Sequence, residues 1–367
     1  MRRYCHAQNL SVDIAHLGSL EHGQKGVQVH YLITGHTGFK GAWLAMWLTH
    51  AGHEVSGLSL DPLPGALFET ARVHELLKHD IRGDIRDLSV VKHALGLTQP
   101  DVVFHLAAQP LVRESYQDPR GTIETNVIGT MNLLSAVAEA PSVKAHVVVT
   151  TDKVYRNTNQ ILGYKEMDPL GGDDPYSASK AMADILTQSW IKSFGGPPTA
   201  IARAGNVIGG GDVSKDRLMP DLLNAYFSGT APVLRYPEAV RPWQHVLDCL
   251  NGYKALSVAL LNGNGQGEWN FGPGASSFVS VGEVASCVKE LIGERAPNWT
   301  STAEPQPHEA NLLSLDAKKA ELELDWHNKL SFNASLEWTV AWEKAVNDHR
   351  DAREISLLQV SNFSNLV

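Results

Sequence analysis

A single stretch near the start does most to restrict the possible folds. Val27-Gln28-Val29-His30-Tyr31-Leu32-Ile33 is an apolar, β-prone run that ends in Thr34-Gly35-His36-Thr37-Gly38-Phe39-Lys40-Gly41 and passes straight into an apolar helical stretch, Ala42 to Ala51. A strand that reaches a helix through three glycines is the opening of an α/β layer structure. The small residues let backbone N–H groups approach a pyrophosphate at the helix N-terminus. A ligand-free tight turn would have the same composition. Its place at the first strand of an alternating chain favours the nucleotide-binding reading. The spacing is GxxGxxG, unlike the GxGxxG of simple dehydrogenases.

The alternation continues. Strands are expected at 55–60, 80–84, 101–108, 145–150 and 199–203, with helices at 66–78, 121–140 and 176–194 between them. Strands alternating with helices imply a parallel, doubly wound sheet, whose ligands bind at the carboxyl ends of the strands. After Asn206 the pattern loosens into loops, a helix at 246–261 and a strand at 269–271. The expected organisation is an extension at 1–27, a dinucleotide-binding body from 28–205 and 240–271, a smaller discontinuous mixed α/β substrate lobe from 206–239 and 272–350, and a tail at 351–367.

Composition excludes several classes. The net charge of −9, without basic runs interleaved with aromatics, argues against a nucleic-acid binder. No run approaches the ~20 apolar residues of a membrane span, and residues 1–27 lack the apolar core of a secretory signal. Cys5, Cys249 and Cys287 are scattered and odd in number, which fits a reducing, cytoplasmic setting without disulfides. They have no metal-ligand spacing, and no metal is expected.

Two motifs carry the chemistry. Tyr176 and Lys180 stand four residues apart on a predicted helix, so one face presents both. An ammonium beside a phenol stabilises phenolate, giving a base for an alcohol proton. Thr151, at the end of the fifth strand, can bond the same oxygen. Asp152-Lys153 beside it adds a second acid/base pair, which simple alcohol oxidation would not need. Asp61, after the second strand, can bond adenosine ribose hydroxyls and repel a 2′-phosphate, favouring NAD over NADP. Asp84-Ile85 is placed to meet adenine.

The chain resembles the extended short-chain dehydrogenase/reductase superfamily and, within it, the nucleotide-sugar 4,6-dehydratases of the CDP-glucose branch. The matching blocks include the glycine turn, His105 to Arg113, Thr151-Asp152-Lys153, Gly171 to Lys180, Arg203 to Asp212, Asp216 to Asp221, Arg241 to Leu247, Trp269 to Pro273, and Pro307-His308-Glu309-Ala310. They extend over about 28–345. The chain departs from the family at Val213, where tryptophan is usual, and at Val154, where cysteine is usual.

The resemblance implies a Rossmann-type fold with bound NAD. The expected cofactor contacts are Gly35, Thr37, Gly38, Phe39, Lys40, Gly41, Asp61, Asp84, Ile85, Ala107, Ala108, Gln109, Tyr176, Lys180 and Arg203. It implies oxidation at C4 with Tyr176 as base, loss of the C6 hydroxyl as water, and hydride return to C6. Asp152 would be the acid. Lys153 would be the C5 base or would polarise the ketone, and the base role requires a neutral lysine, whose ordinary pKa is about 10.4. Arg113, Asn206, Arg217, Arg241 and His308 are the expected contacts to CDP-glucose or a related nucleotide sugar. Relatives pair through two long helices, so a homodimer or homotetramer is expected. A 4-epimerase, a dehydratase for another nucleotide sugar, and a non-catalytic nucleotide sensor of this fold are the competing readings. The acid/base pair argues against the first, and the intact Thr151, Tyr176 and Lys180 against the last.

Overall fold

The computed structural model describes residues 28–160, 162–302 and 313–366. The extension expected at 1–27, Cys5 and His308 lie outside them.

Six strands alternate with helices in the first part of the chain: β1 (His30–Thr34), β2 (Glu54–Ser59), β3 (His79–Arg82), β4 (Val102–His105), β5 (Ala145–Val149) and β6 (Thr199–Ala204). Six more follow: β7 (Asn206–Ile208), β8 (Val233–Leu234), β9 (Val240–His245), β10 (Gly267–Phe271), β11 (Phe278–Ser280) and β12 (Thr300–Ser301). Seven of these form one sheet, ordered β10-β6-β5-β4-β1-β2-β3, with every neighbouring pair parallel. The order reverses beside β1, which opens a crevice at the strand carboxyl ends. A parallel sheet is covered on both faces, so its central strands are apolar throughout. β1, β4 and β5 are buried along their whole length.

One face packs on the helices Phe39–His50 and Val246–Leu261, where Trp43, Leu44, Met46, Leu250 and Tyr253 are buried. The other packs on Leu88–Thr98 and Gly129–Ala138 through Val91, Leu95, Leu133 and Val137. A separate apolar core, with Leu222, Leu223, Trp243, Val284 and Val288, holds the smaller lobe.

Four details differ from the sequence reading. β9 pairs with β7 and β11 in a three-stranded sheet and not with the large one. The helix expected at 66–78 is two short turns, Leu67–Thr70 and Val73–Leu76, separated at Arg72, whose φ is +48°. The helix expected at 121–140 carries a π turn, Glu124–Ile128. The tail expected at 351–367 is largely a helix, Ala352–Ser364, capped by Asp351. Its Phe363 meets Trp47 edge-on at 5.5 Å, and Arg353 Nε donates to the Ala71 carbonyl at 2.7 Å. Full burial of a side chain such as Phe363 is worth about 1.5–3 kcal/mol, which makes this segment part of the large body.

Candidate active site

The strand ends and the smaller lobe enclose a cavity of about 1090 Å³. Its walls bring together nearly every residue singled out from the sequence. The glycine turn, Asp61, Asp84-Ile85 and Ala107-Ala108 line one end. Thr151, Asp152, Lys153, Tyr176 and Lys180 line the middle. Arg113, Asn206, Arg217 and Arg241 line the other end.

At the first end the chain leaves β1 through Gly35, whose φ is +78°. A Cβ on Gly35 would lie 2.7 Å from the Ala107 nitrogen, and one on Gly41 would lie 2.2 Å from the Gly35 carbonyl oxygen. Only glycine fits either position. The helix Phe39–His50 opens at Gly38 without a side-chain cap, leaving its first N–H groups at the cavity wall. Thr37 Oγ1 ties the turn to β2, 2.7 Å from Ser59 Oγ and 3.1 Å from the Leu60 carbonyl. Lys40 Nζ donates to Tyr253 Oη at 3.3 Å. The Asp61 side chain is 89% exposed, with Arg82 Nε 3.8 Å away. Hydrogen bonds from Arg86 hold Asp84 below the ordinary carboxylate range. An uncapped helix end, a turn without room for side chains and a carboxylate after β2 together fit a dinucleotide's pyrophosphate and ribose.

In the middle, Thr151 caps a short turn, Asp152–Val154, that follows β5. Thr151 Oγ1 donates to Asp152 Oδ1 at 2.8 Å. Asp152 is 5% exposed. Burial raises its pKa above the ordinary value, and the Lys153 charge and the Thr151 hydrogen bond oppose that only in part. A carboxyl that holds its proton more tightly than usual suits a general acid.

Asp174 accepts the Ser177 N–H at 2.9 Å and Pro175 starts the helix Pro175–Ser193, which aims Tyr176 and Lys180 at the cavity. Burial pushes the Tyr176 phenol up to about 12, against the Arg217 charge and a hydrogen bond with Thr151. Lys180 Nζ donates to the Val149 carbonyl at 2.9 Å, and burial lowers its pKa to about 8. The sequence reading had Lys180 stabilising the phenolate. Here burial of the phenol outweighs the charges that oppose it, Arg217 among them, and one Lys180 donor goes to Val149.

At the far end Asp216 links two arginines. Arg113 Nη1, from the large body, lies 3.2 Å from Asp216 Oδ1, and Arg235 Nη1, from the smaller lobe, lies 3.5 Å from it. Asp216 has φ +59°, a conformation few residues other than glycine adopt. Arg217 approaches Asp212 at 3.9 Å. Arg235 escaped the sequence reading because it stands in an apolar run, Pro232-Val233-Leu234, with nothing to mark it. Asp216 stood inside a matching block, but only a three-dimensional view pairs it with Arg113.

Two expected cofactor contacts are corrected. Arg203 is fully buried under the cavity, with Nε and Nη2 on the two Asp184 oxygens at 2.8 and 2.7 Å. β6 alternates sides, and Arg203 falls on the side facing the helix Pro175–Ser193. Gln109 turns inward as well: its Nε2 donates to Thr122 Oγ1 at 2.8 Å and to the Leu111 carbonyl at 3.1 Å. His105 is a packed strand residue: Nδ1 meets Thr34 Oγ1 at 2.8 Å and Nε2 meets Thr130 Oγ1 at 2.9 Å. His245 is buried at the start of the helix Val246–Leu261, where its ring accepts the Leu247 N–H.

Comparison with known proteins agrees with this geometry. Residues 32–339 match the family model for GDP-mannose 4,6 dehydratase. The chain is 41% identical over 342 residues to the CDP-glucose 4,6-dehydratase of Salmonella typhimurium, an alignment that takes in 90% of this chain and 95% of that one. Among solved structures it is similar to DesIV, the dTDP-glucose 4,6-dehydratase of Streptomyces venezuelae, solved with NAD bound. The TM-score there is 0.76 at 27% identity, covering 87% of this chain and 98% of the other. The UDP-glucose 4-epimerase of Thermotoga maritima shares the fold, with a TM-score of 0.76 at 21% identity over 87% and 99% of the two chains.

Proposed function

The chain belongs to the GDP-mannose 4,6-dehydratase family, and from that premise we propose that it is an NAD-dependent CDP-glucose 4,6-dehydratase, forming CDP-4-keto-6-deoxyglucose and water. The observation that carries this reading is the turn Thr151-Asp152-Lys153 facing Tyr176 in one cavity, with Asp152 buried and its pKa raised. The CDP assignment rests on the 41% identical relative and on lysine at 153.

The residues present suit the cofactor. The N–H groups at Gly38–Gly41 would hold the pyrophosphate, Asp61 the adenosine ribose, Asp84-Ile85 the adenine and Lys180 the second ribose. The chemistry that bound NAD would supply is reversible hydride acceptance, from C4 and back to C6, with no net consumption of cofactor.

The chain's own groups move the protons. Tyr176 Oη acts in its ionised form, which the Arg217 charge and the Thr151 hydrogen bond favour against burial, and takes the proton of the C4 hydroxyl, while Thr151 Oγ1 orients that oxygen. The resulting ketone acidifies the C5 hydrogen, which Lys153 Nζ removes. Asp152 gives its proton to the C6 hydroxyl, which leaves as water. Lys153 returns a proton to C5 when C6 is reduced. Thr151 bonds both Asp152 and Tyr176, so the proton gained by Tyr176 has a short path back to Asp152. A 4-epimerase needs no acid for a leaving hydroxyl. Arg113, Arg235, Arg217 and Arg241 all line the cavity, which supports their holding the substrate diphosphate, since a guanidinium can bond two phosphate oxygens at once.

Exposed Ile123, Ile128 and Met131 on one helical face, and Met182, Ile185 and Phe194 on the other, support a homodimer paired through these helices. The free, buried thiol of Cys249 supports a cytoplasmic enzyme. No helix among the described residues is long and apolar enough to cross a membrane.

Incubation with NAD and CDP-glucose, followed by alkali, tests the function through the absorbance of a 4-keto sugar. Parallel incubations with dTDP-glucose, UDP-glucose and GDP-mannose test the nucleotide. Product from one of these and none from CDP-glucose would keep the reaction and discard the substrate.

A further inference from the structure

The buried Arg203 has no counterpart in the chemistry above, yet it has one of the fullest sets of partners in the protein. Besides its two bonds to Asp184, Arg203 Nη1 donates to Tyr155 Oη at 2.7 Å and to the Glu166 carbonyl at 2.8 Å. Tyr155 Oη donates onward to Asn270 Oδ1 on β10 at 2.8 Å. Asp184 Oδ2 also accepts from Thr150 Oγ1 at 3.0 Å. Both side chains of the Arg203–Asp184 pair are 0% exposed.

The placement of these partners is what matters. Thr150 immediately precedes Thr151, and Tyr155 immediately follows the turn Asp152–Val154. Asp184 sits one helical turn beyond Lys180 on the helix that also carries Tyr176. The network therefore grips the acid/base segment at both ends and fastens it to the helix of the hydride-transfer residues. A fully buried ion pair is seldom the most stable filling for such a space, since apolar side chains of similar volume often do as well. Its directional bonds do what apolar packing cannot: they set the distance and orientation of one backbone segment against another.

We propose that Arg203, with Tyr155 and Asp184, is a positioning device for the elimination half of the reaction, holding Asp152 and Lys153 in register with Tyr176. The proposal rests on the dehydratase reading. Misplacement of a reacting group by about 1 Å can cost about 10²-fold in rate, and release of the Tyr155 end of the segment would fall on water loss more than on C4 oxidation, because Tyr176 and Lys180 keep their own helix and Thr151 stays tied through Thr150 to Asp184.

Tyr155→Phe tests this with one atom. The ring would keep its stacking on Tyr164, at 5.1 Å, and the Arg203 guanidinium over its face, at 5.0 Å. Arg203 would keep Asp184 and Glu166. On rapid mixing with CDP-glucose, Y155F is expected to reduce NAD at the wild-type rate and then accumulate the reduced cofactor, with 4-keto product forming about 10–100-fold more slowly. Its calorimetric Kd for CDP-glucose should stay within about twofold of wild type. Arg203→Lys, which keeps a charge on Asp184 but gives up Tyr155, should show the same build-up and serves if Y155F does not fold. Equal loss of oxidation and elimination, or wild-type elimination in a folded variant, overturns the proposal and leaves the network a structural one. Failure of the unmodified protein to form a 4-keto product from any nucleotide sugar overturns the dehydratase reading, and this proposal with it.

Discussion

Replacing Asp152 by Asn should separate the two halves of the reaction. The amide has the shape of the carboxyl and its oxygen can still accept from Thr151 Oγ1, now at 2.8 Å from Asp152 Oδ1. What it cannot do is give a proton to the leaving C6 hydroxyl. General acid catalysis contributes about 10²–10⁴-fold, or roughly 3–5 kcal/mol of barrier at 1.36 kcal/mol per tenfold. Elimination should slow by that factor while oxidation at C4 continues, so reduced cofactor should accumulate in stopped-flow absorbance. Stability should move the other way. The folded pKa of Asp152 lies above its unfolded value because burial disfavours the charge. Such a group stabilises the fold below the unfolded pKa, and that contribution is lost as pH rises through the folded pKa. At neutral pH the carboxylate is therefore a liability, and D152N should melt no lower than wild type. In wild type the elimination rate should fall as pH rises through that raised pKa, and D152N should lack this limb. A variant that loses oxidation and elimination in equal measure, or that retains the alkaline limb, would refute the assignment of Asp152 as the acid.

Other consequences can be checked alongside. A Cβ at Gly205 would lie 3.0 Å from Asp152 Oδ2, so Gly205→Ala should cut turnover about tenfold and add little in the D152N background, as expected for two changes acting on one group; steady-state kinetics of the four proteins decides. Asp61→Asn removes the carboxylate beside Arg82, 3.8 Å away, and should raise the NADP-to-NAD ratio of binding constants by about tenfold or more, equivalent to ~1.4 kcal/mol, measured by fluorescence titration. Ile185, 51% exposed on the helix Pro175–Ser193, should tolerate glutamate without loss of fold but lower the molar mass in light scattering to that of a monomer. Unchanged mass would place the interface elsewhere.

The sequence by itself determined the layered α/β fold, since strand–turn–helix alternation leaves few ways to bury parallel strands. It also determined the nucleotide turn, where Gly35 and Gly41 leave no room for a side chain, and the pairing of Tyr176 with Lys180, which follows from helical spacing alone. These are local properties, and they are written in contiguous residues. Partnership across the chain is not. Only the tertiary structure decided that Arg203 binds Asp184 and Tyr155 beneath the site, because the direction of a strand side chain depends on what packs on each face. Only it showed Asp216 between Arg113 and Arg235, residues brought together from two lobes. The electrostatic balance belongs to the same level. Motif spacing suggests that Lys180 eases ionisation of Tyr176. Burial of the phenol, the Arg217 charge near it and the bond from Lys180 to Val149 are set by the surroundings and not by the motif.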